Sequence, residues 1–367
     1  MNRLTPLAPP ARERSGVIMP IQYLRGIAAL MVVWHHARIQ IAGAQAMFPS
    51  EAGTAGVDLF FVISGFIMVV TTAGSSMSPW QFIRRRIIRV VPLYWSLTLL
   101  MVALALLVPS LFRTLKVAPA TLLQSLLFIP HFSQSFPDFA WPLLVPGWTL
   151  NYEMFFYAVF AATLLLPALR ERLATMTIVF GVLVGIGLAF GPFTSAWAQT
   201  YTNPALLEFI AGTLVGAWWV RGERRLPLVA SMACLLGGTG LLVRYIEPMG
   251  TYTPMVGALL IVIGALDATW RTWVSGIGLA LGDASYSIYL THLFTLGLIR
   301  AAWTKLLPAT APTLTTAITF MAISLLVCAL VGWLCNRLIE TPLMRLLGGL
   351  GRRKSMPAPV AGRRLKL

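Results

Sequence analysis

Long apolar runs separated by short polar breaks make up almost the whole chain. Ten of them have the length of a bilayer crossing: 20–41, 57–73, 87–108, 149–168, 174–192, 203–220, 227–244, 251–267, 281–304 and 314–339. The breaks hold Pro49, Gly74 with its following serines, Pro109, the prolines from Pro137 to Pro146, Gly191-Pro192, Asn203-Pro204, Glu247-Pro248 and Pro308 to Pro312. Backbone polar groups in lipid must be satisfied within their own segment, so each run predicts a helix. A further stretch, 121–129, is too short to span and predicts a re-entrant or interfacial helix. The predicted fold class is all-α: a polytopic membrane protein of about ten transmembrane helices over 20–344. The flanking tails, 1–19 and 345–367, are rich in Pro and Arg and are expected to be disordered, the second resting on anionic lipid. No internal repeat is visible, which disfavours an inverted-repeat transporter.

Composition supports this reading. Hydrophobic residues are 57% of the 367 and charged residues 11%, against about 25% charged in soluble domains. Mean hydropathy is +0.78. The net charge of +16 would suggest nucleic acid in a soluble protein, but here the Lys and Arg lie between and beyond the apolar runs. With the N-terminus in the cytoplasm and alternating helices, only Arg38, Arg113, Lys116, Arg244, Arg300 and Lys305 of the 28 Lys and Arg fall outside. That bias predicts both termini inside. Cys234, Cys328 and Cys335 sit in apolar segments without disulfide or zinc spacing and read as core residues. Ala44-Gln45-Ala46 resembles a signal-peptidase site, but the preceding run holds Arg25, His35, His36 and Arg38. An uncleaved first helix is the better reading.

Ionisable residues inside apolar helices are costly and are functional candidates by default. Arg25 and His36 are 11 residues apart, which is three helical turns plus about 20°, so they share one stripe. The rise between them is about 16 Å, roughly half of a ~30 Å hydrocarbon core. Arg25 at the cytoplasmic interface therefore places His36 near the midplane. Glu153 and Thr149 share a face near the expected outer end of their helix. Asp58 lies at the outer end of the second run with Ser64 deeper; Asp58 also reads as an N-cap. Ser285, Tyr289 and His292 form a polar stripe on an apolar helix, with Asp283 as a natural N-cap. Arg84-Arg85-Arg86 and Arg89 precede the third run. They read either as a cytoplasmic anchor or as a grip on phosphate, for which Arg forks are suited. Glu208 and Glu340 also fall in apolar helices, whereas Glu51, Glu171, Glu223 and Glu247 read as solvated. Nucleotide-binding loops, zinc-protease motifs and close metal-ligand pairs are absent.

Six motifs in order carry a resemblance: Arg25-x10-His36, Gly56-Val-Asp-Leu-Phe-Phe-Val-Ile-Ser-Gly-Phe66, Arg86-x2-Arg89 before Val-Val-Pro92, Trp148-Thr-Leu-x2-Glu153, Ser285-Tyr-Ser-Ile-Tyr-Leu-x-His292 and Ile339-Glu-x-Pro-Leu-x-Arg345. The chain resembles the acyltransferase-3 family of integral-membrane O-acyltransferases, in its exopolysaccharide O-acetyltransferase-like branch. The resemblance implies a bacterial inner-membrane, multi-pass enzyme. It would move an acyl group, usually acetyl, from cytoplasmic acyl-CoA to a sugar hydroxyl of an exopolysaccharide or other envelope glycan. It points to His36 and Arg25 as essential, with Arg86, Arg89, Glu153 and His292 as further motif positions. Catalysis would then rest on His36, Arg25, Glu153 and His292, and substrate binding on Arg86, Arg89, Asp58, Ser64, Ser285 and Tyr289. The resemblance implies acetyl-CoA or another acyl-CoA as the donor, with no metal. The partners it implies are a glycan or lipid-linked sugar and membrane lipids, with association with the polysaccharide biosynthesis or export machinery a further expectation and no nucleic acid. A buried neutral His36 suits general-base work on the hydroxyl, or a covalent acyl-histidine relay. Two other readings stay open: a proton-coupled transporter or flippase of a lipid-linked glycan, with His36 and Glu153 as the proton pair, and a non-catalytic subunit of an export complex.

Overall fold

The computed structural model describes residues 18–41, 43–48, 52–109, 114–222, 226–243, 252–267, 276–306 and 313–349. Most of both tails lies outside these residues, as do Glu51, Arg113, Glu223, Arg224, Arg225, Arg244, Glu247 and Arg271, so the expectations placed on them are not addressed. Among the described residues the fold is helical throughout, with no strand. In order come α1 (Met19–Gln40), α2 (Ala44–Met47), α3 (Gly56–Thr72), α4 (Pro79–Leu107), α5 (Pro119–Leu126), a 3-10 turn (Val145–Gly147), α6 (Trp148–Thr163) and α7 (Leu169–Phe190). Then follow α8 (Ala196–Tyr201), α9 (Leu206–Val220), α10 (Leu228–Val243), α11 (Tyr252–Asp267), α12 (Gly276–Leu306), α13 (Leu314–Cys335), a π-helical turn (Asn336–Glu340) and α14 (Thr341–Gly349).

Each of the ten apolar runs coincides with a long helix, and the short 121–129 stretch with α5. Pro79–Leu107, Leu169–Phe190 and Leu314–Gly349 are long and apolar enough to cross a membrane; Gly56–Thr72, Leu228–Val243 and Tyr252–Leu266 are shorter apolar helices. With this hydrophobic surface the protein is a membrane protein.

Several boundaries differ from expectation for local reasons. α4 starts eight residues before its apolar run because Ser78 caps it. The Ser78 side chain accepts from the Gln81 N–H, and the Gln81 side chain accepts from the Ser78 N–H. The arginine cluster is therefore on the helix and does not precede it. α12 begins at Gly276, so Asp283 is an interior residue and not an N-cap. α3 is capped at Ala55, leaving Asp58 in its first turn, where it lines a cavity described below. Past α13 the chain continues through the π turn into α14, so helix extends to 349, beyond the expected tail boundary at 345.

The helices that carry the site pack through small residues. α1 lies against α3, α12 and α13, and α3 lies against α9. Where α3 and α9 cross, a Cβ on Gly65 would come within 2.1 Å of the Phe209 carbonyl oxygen, and one on Gly212 within 2.0 Å of the Val62 carbonyl oxygen. Neither position has room for a side chain. Small residues at such crossings are what membrane helices use to approach closely. Phe61, Phe156 and Phe209 stack beside this crossing, with ring centroids 4.4 and 4.5 Å apart, which ties α3, α6 and α9 together.

Candidate active site

Two cavities lie back to back within the helices. One, of about 190 Å³, is lined by Arg25, Ser64, Arg86, Arg89, Glu153, Ser285 and Tyr289, among others; it is called here the arginine chamber. The other, of about 440 Å³, is lined by His35, His36, Asp58, Glu208, Tyr289 and His292 with a group of aromatic side chains; it is the histidine chamber. Val57, Phe61 and Tyr289 line both, so three side chains form the partition. All ten candidate residues fall on one chamber or the other. The Ser285-Tyr289-His292 stripe runs past the partition, with Ser285 on one side and His292 on the other.

In the arginine chamber the charges are partnered unequally. Arg25 Nη1 donates to Gln22 Oε1 at 3.1 Å, one turn away on α1. Arg89 is ion-paired with Glu340, which is 1% exposed. Glu340 also accepts from Ser287 Oγ at 2.5 Å and from Asn336 Nδ2 at 3.0 Å. The π turn carries both Asn336 and Glu340; such a turn inserts a residue and re-aims the helix face. Among the described residues Arg86 has no carboxylate partner: its guanidinium lies over the rings of Phe82 at 5.5 Å and Tyr157 at 5.8 Å, and its Nε is buried without a hydrogen-bond partner. Of the two arginines in the motif, Arg89 is thus held by a carboxylate and Arg86 by aromatic rings. Glu153 accepts from Ser64 Oγ at 3.1 Å and from the Tyr157 hydroxyl. It lines this chamber from the second turn of α6, behind the buried 3-10 turn.

In the histidine chamber the His36 and His292 rings are 5.0 Å apart between centroids, and His35 lies 5.1 Å from His36 on its other side. His292 Nδ1 is 2.5 Å from the Tyr289 carbonyl oxygen. A carbonyl only accepts, so Nδ1 carries the hydrogen, and the neutral ring then presents Nε2 as a lone-pair acceptor. That Nε2 is buried with no partner among the described residues. The Tyr289 hydroxyl donates to the Pro146 carbonyl at 3.1 Å and lies 3.0 Å from Thr149 Oγ1, which holds the partition ring between α6 and α12. Asp58 on α3 and Glu208 on α9 put two carboxyl groups on the wall of this chamber.

Sequence reasoning passed over several of these groups. Glu208 and Glu340 were recognisable only as charges in apolar helices; their partners come from packing. His35 lines the chamber beside His36. Arg38, assigned to an outer surface, is 1% exposed and donates to the Phe48 carbonyl at 2.7 Å. His131 is buried and donates from Nδ1 to the Ile129 carbonyl at 2.9 Å, fastening its own loop.

A family model described as an acyltransferase domain matches residues 21–333. The chain belongs to the acyltransferase-3 family. It is 41% identical over 319 residues to the exopolysaccharide production protein ExoZ of Rhizobium meliloti (strain 1021), covering 85% of this chain and 94% of that protein. It is 29% identical over 299 residues to the putative membrane-bound transacylase BcsY of Komagataeibacter xylinus, covering 74% and 71%. To the acyltransferase MdmB of Streptomyces mycarofaciens it is 25% identical over 384 residues, covering 94% and 96%. No solved structure matches the chain. The acyltransferase-3 region spans α1 to most of α13 and so holds both chambers, while Glu340, which anchors Arg89, lies just beyond it.

Proposed function

We propose that this protein is an integral-membrane O-acyltransferase of the bacterial inner membrane. It moves an acyl group, with acetyl the first expectation, from cytoplasmic acyl-CoA to a sugar hydroxyl of an exopolysaccharide or other envelope glycan. The observation that carries the reading is the pair of chambers meeting at Tyr289, one lined with arginines and the other with histidines. The acyltransferase family and the exopolysaccharide relative favour transfer over transport of a lipid-linked glycan. In the proposed topology ten spans put both termini in the cytoplasm, and the arginine chamber faces the donor. The 20–344 region is the enzyme, and the tails before and after it are cytoplasmic. Association with the glycan assembly or export machinery follows from the proposed acceptor.

Arg25 and Arg86 hold the phosphates of CoA, and the acyl arm reaches the partition. The hydroxyl oxygen of the sugar attacks the thioester carbonyl while His36, beside His292, takes the hydroxyl proton. Collapse breaks the C–S bond, and the CoA sulfur leaves with the proton returned by the imidazolium. Glu153, with Ser64 and Tyr157 bonded to it, fixes the polar wall along which the thioester lies.

Purified protein in vesicles, given labelled acetyl-CoA and glycan, tests the reading: label appears on the glycan. Movement of glycan without label transfer would return the transporter reading. Arg86→Ala is expected to raise the KM for acyl-CoA by roughly 10- to 100-fold, the worth of one charge-assisted contact of about 1.5–3 kcal/mol. Insertion should be unaffected. An unchanged KM would leave Arg86 as a membrane anchor only.

A further inference from the structure

The geometry points to the histidine chamber as a subsite for one uncharged pyranose ring, with Phe139, Trp141, Trp148, Asp58 and Glu208 selecting it against anionic sugars. This deepens the proposed function and rests on it. Its volume, about 440 Å³, lies in the range of small-molecule pockets, about 300–1,000 Å³. The arginine chamber, at about 190 Å³, is suited to a narrow acyl arm and not to a ring with its substituents.

The chemistry of the lining is that of a sugar site. Phe139 and Trp141 are stacked, 4.2 Å between centroids at 18°, and Phe136 meets Trp141 edge-on at 5.7 Å. Trp148 adds another ring to the lining. The loop carrying this wall is fastened: the Ser133 N–H donates to the Phe139 carbonyl at 2.9 Å, and the Trp141 N–H to the same oxygen at 2.9 Å. A pyranose has C–H faces that pack on flat rings and hydroxyls around its edge. The aromatic wall supplies the first kind of contact at little entropic cost.

The polar groups supply the second. His292 Nε2 and Glu208 Oε2 are buried, lack hydrogen-bond partners, and belong to side chains that are 1% and 5% exposed on the chamber lining. Buried polar atoms are normally bonded, so these two acceptors call for donors from a ligand, and sugar hydroxyls are such donors. Asp58 adds a second carboxyl to this lining, with oxygens able to accept from sugar hydroxyls. Among the described residues no Lys or Arg lines this chamber. A uronate or phosphosugar would meet a carboxylate with no counter-charge, and like charges cost several kcal/mol when desolvated. Neutral sugars pay no such penalty.

Saturation-transfer NMR on the full-length protein in nanodiscs tests this with methyl β-D-glucopyranoside and methyl β-D-glucuronide as probes, and acetyl-CoA binding as the control. The glucoside should bind at least about tenfold more tightly than the glucuronide. Trp141→Ala should weaken the glucoside by about tenfold, Trp141→Phe should restore most of it, and neither should change acetyl-CoA binding. Asp58→Asn should narrow the preference for the neutral sugar. Equal binding of the two probes, no binding of the glucoside, or an unaltered affinity in Trp141→Ala with acetyl-CoA still bound would each overturn the subsite. Acetyl transfer to glycan alongside any of those results would leave the acyltransferase standing without it. Selective glucoside binding with no transfer would do the reverse.

Discussion

Replacing His36 by alanine is expected to lower acyl transfer by about 10²- to 10⁴-fold, the usual worth of a positioned general acid–base group. The ring lines the chamber next to His292, and a sugar hydroxyl is a poor nucleophile without a proton acceptor beside it. The measurement is single-turnover transfer from labelled acetyl-CoA by purified protein, with correct insertion checked by gel filtration in detergent. A loss confined to KM, or transfer at the wild-type rate, would remove His36 from the chemistry. His292→Ala gives the companion result. If His292 Nε2 is the atom that receives the proton, its loss will be as large as that of His36. If His292 only orients the acceptor, it will be smaller and fall mainly on the acceptor KM.

Much of this architecture was legible. Ten apolar runs became helices because length and hydrophobicity decide the matter in lipid, whatever the tertiary contacts. The Arg25–His36 stripe and the Ser285-Tyr289-His292 stripe were legible because helical periodicity is local. Pairings between distant elements were not. Asp58 and Glu208 share one cavity wall because glycines at 65 and 212 let α3 and α9 approach. Arg89 meets Glu340, 251 positions away in sequence, only because a π turn rotates the end of α13. The aromatic wall at Phe139 and Trp141 depends on loop geometry, which hydrophobic periodicity does not encode. Asp283, whose local reading is a cap, is interior to α12, and Asp58, for which a cap was one of two readings, sits in the first turn of α3, because helix starts shift when the preceding residues also favour helix.

The second large effect is expected at Glu340. Removing its side chain leaves Arg89 without its counter-charge and Ser287 and Asn336 without their acceptor. Breaking a buried pair from one side costs about 3–5 kcal/mol. Glu340→Ala should therefore lower the unfolding temperature of the detergent-solubilised protein markedly, and Glu340→Gln, which retains an acceptor, by less. Arg89→Ala in the same background should cost much less than it does alone, since the two residues share one interaction. Strict additivity of the two substitutions would show that the pair contributes nothing and would return Arg89 to the ligand.

The partition of Val57, Phe61 and Tyr289 has a kinetic consequence. The two cavities adjoin at these three side chains, so in the proposed direct transfer acyl-CoA and acceptor are bound together, one from each side, before any bond changes. Double-reciprocal plots against acyl-CoA at several acceptor concentrations should intersect. An enzyme that first stores the acyl group on a histidine and releases CoA would give parallel lines, and CoA would appear in a burst with no acceptor present.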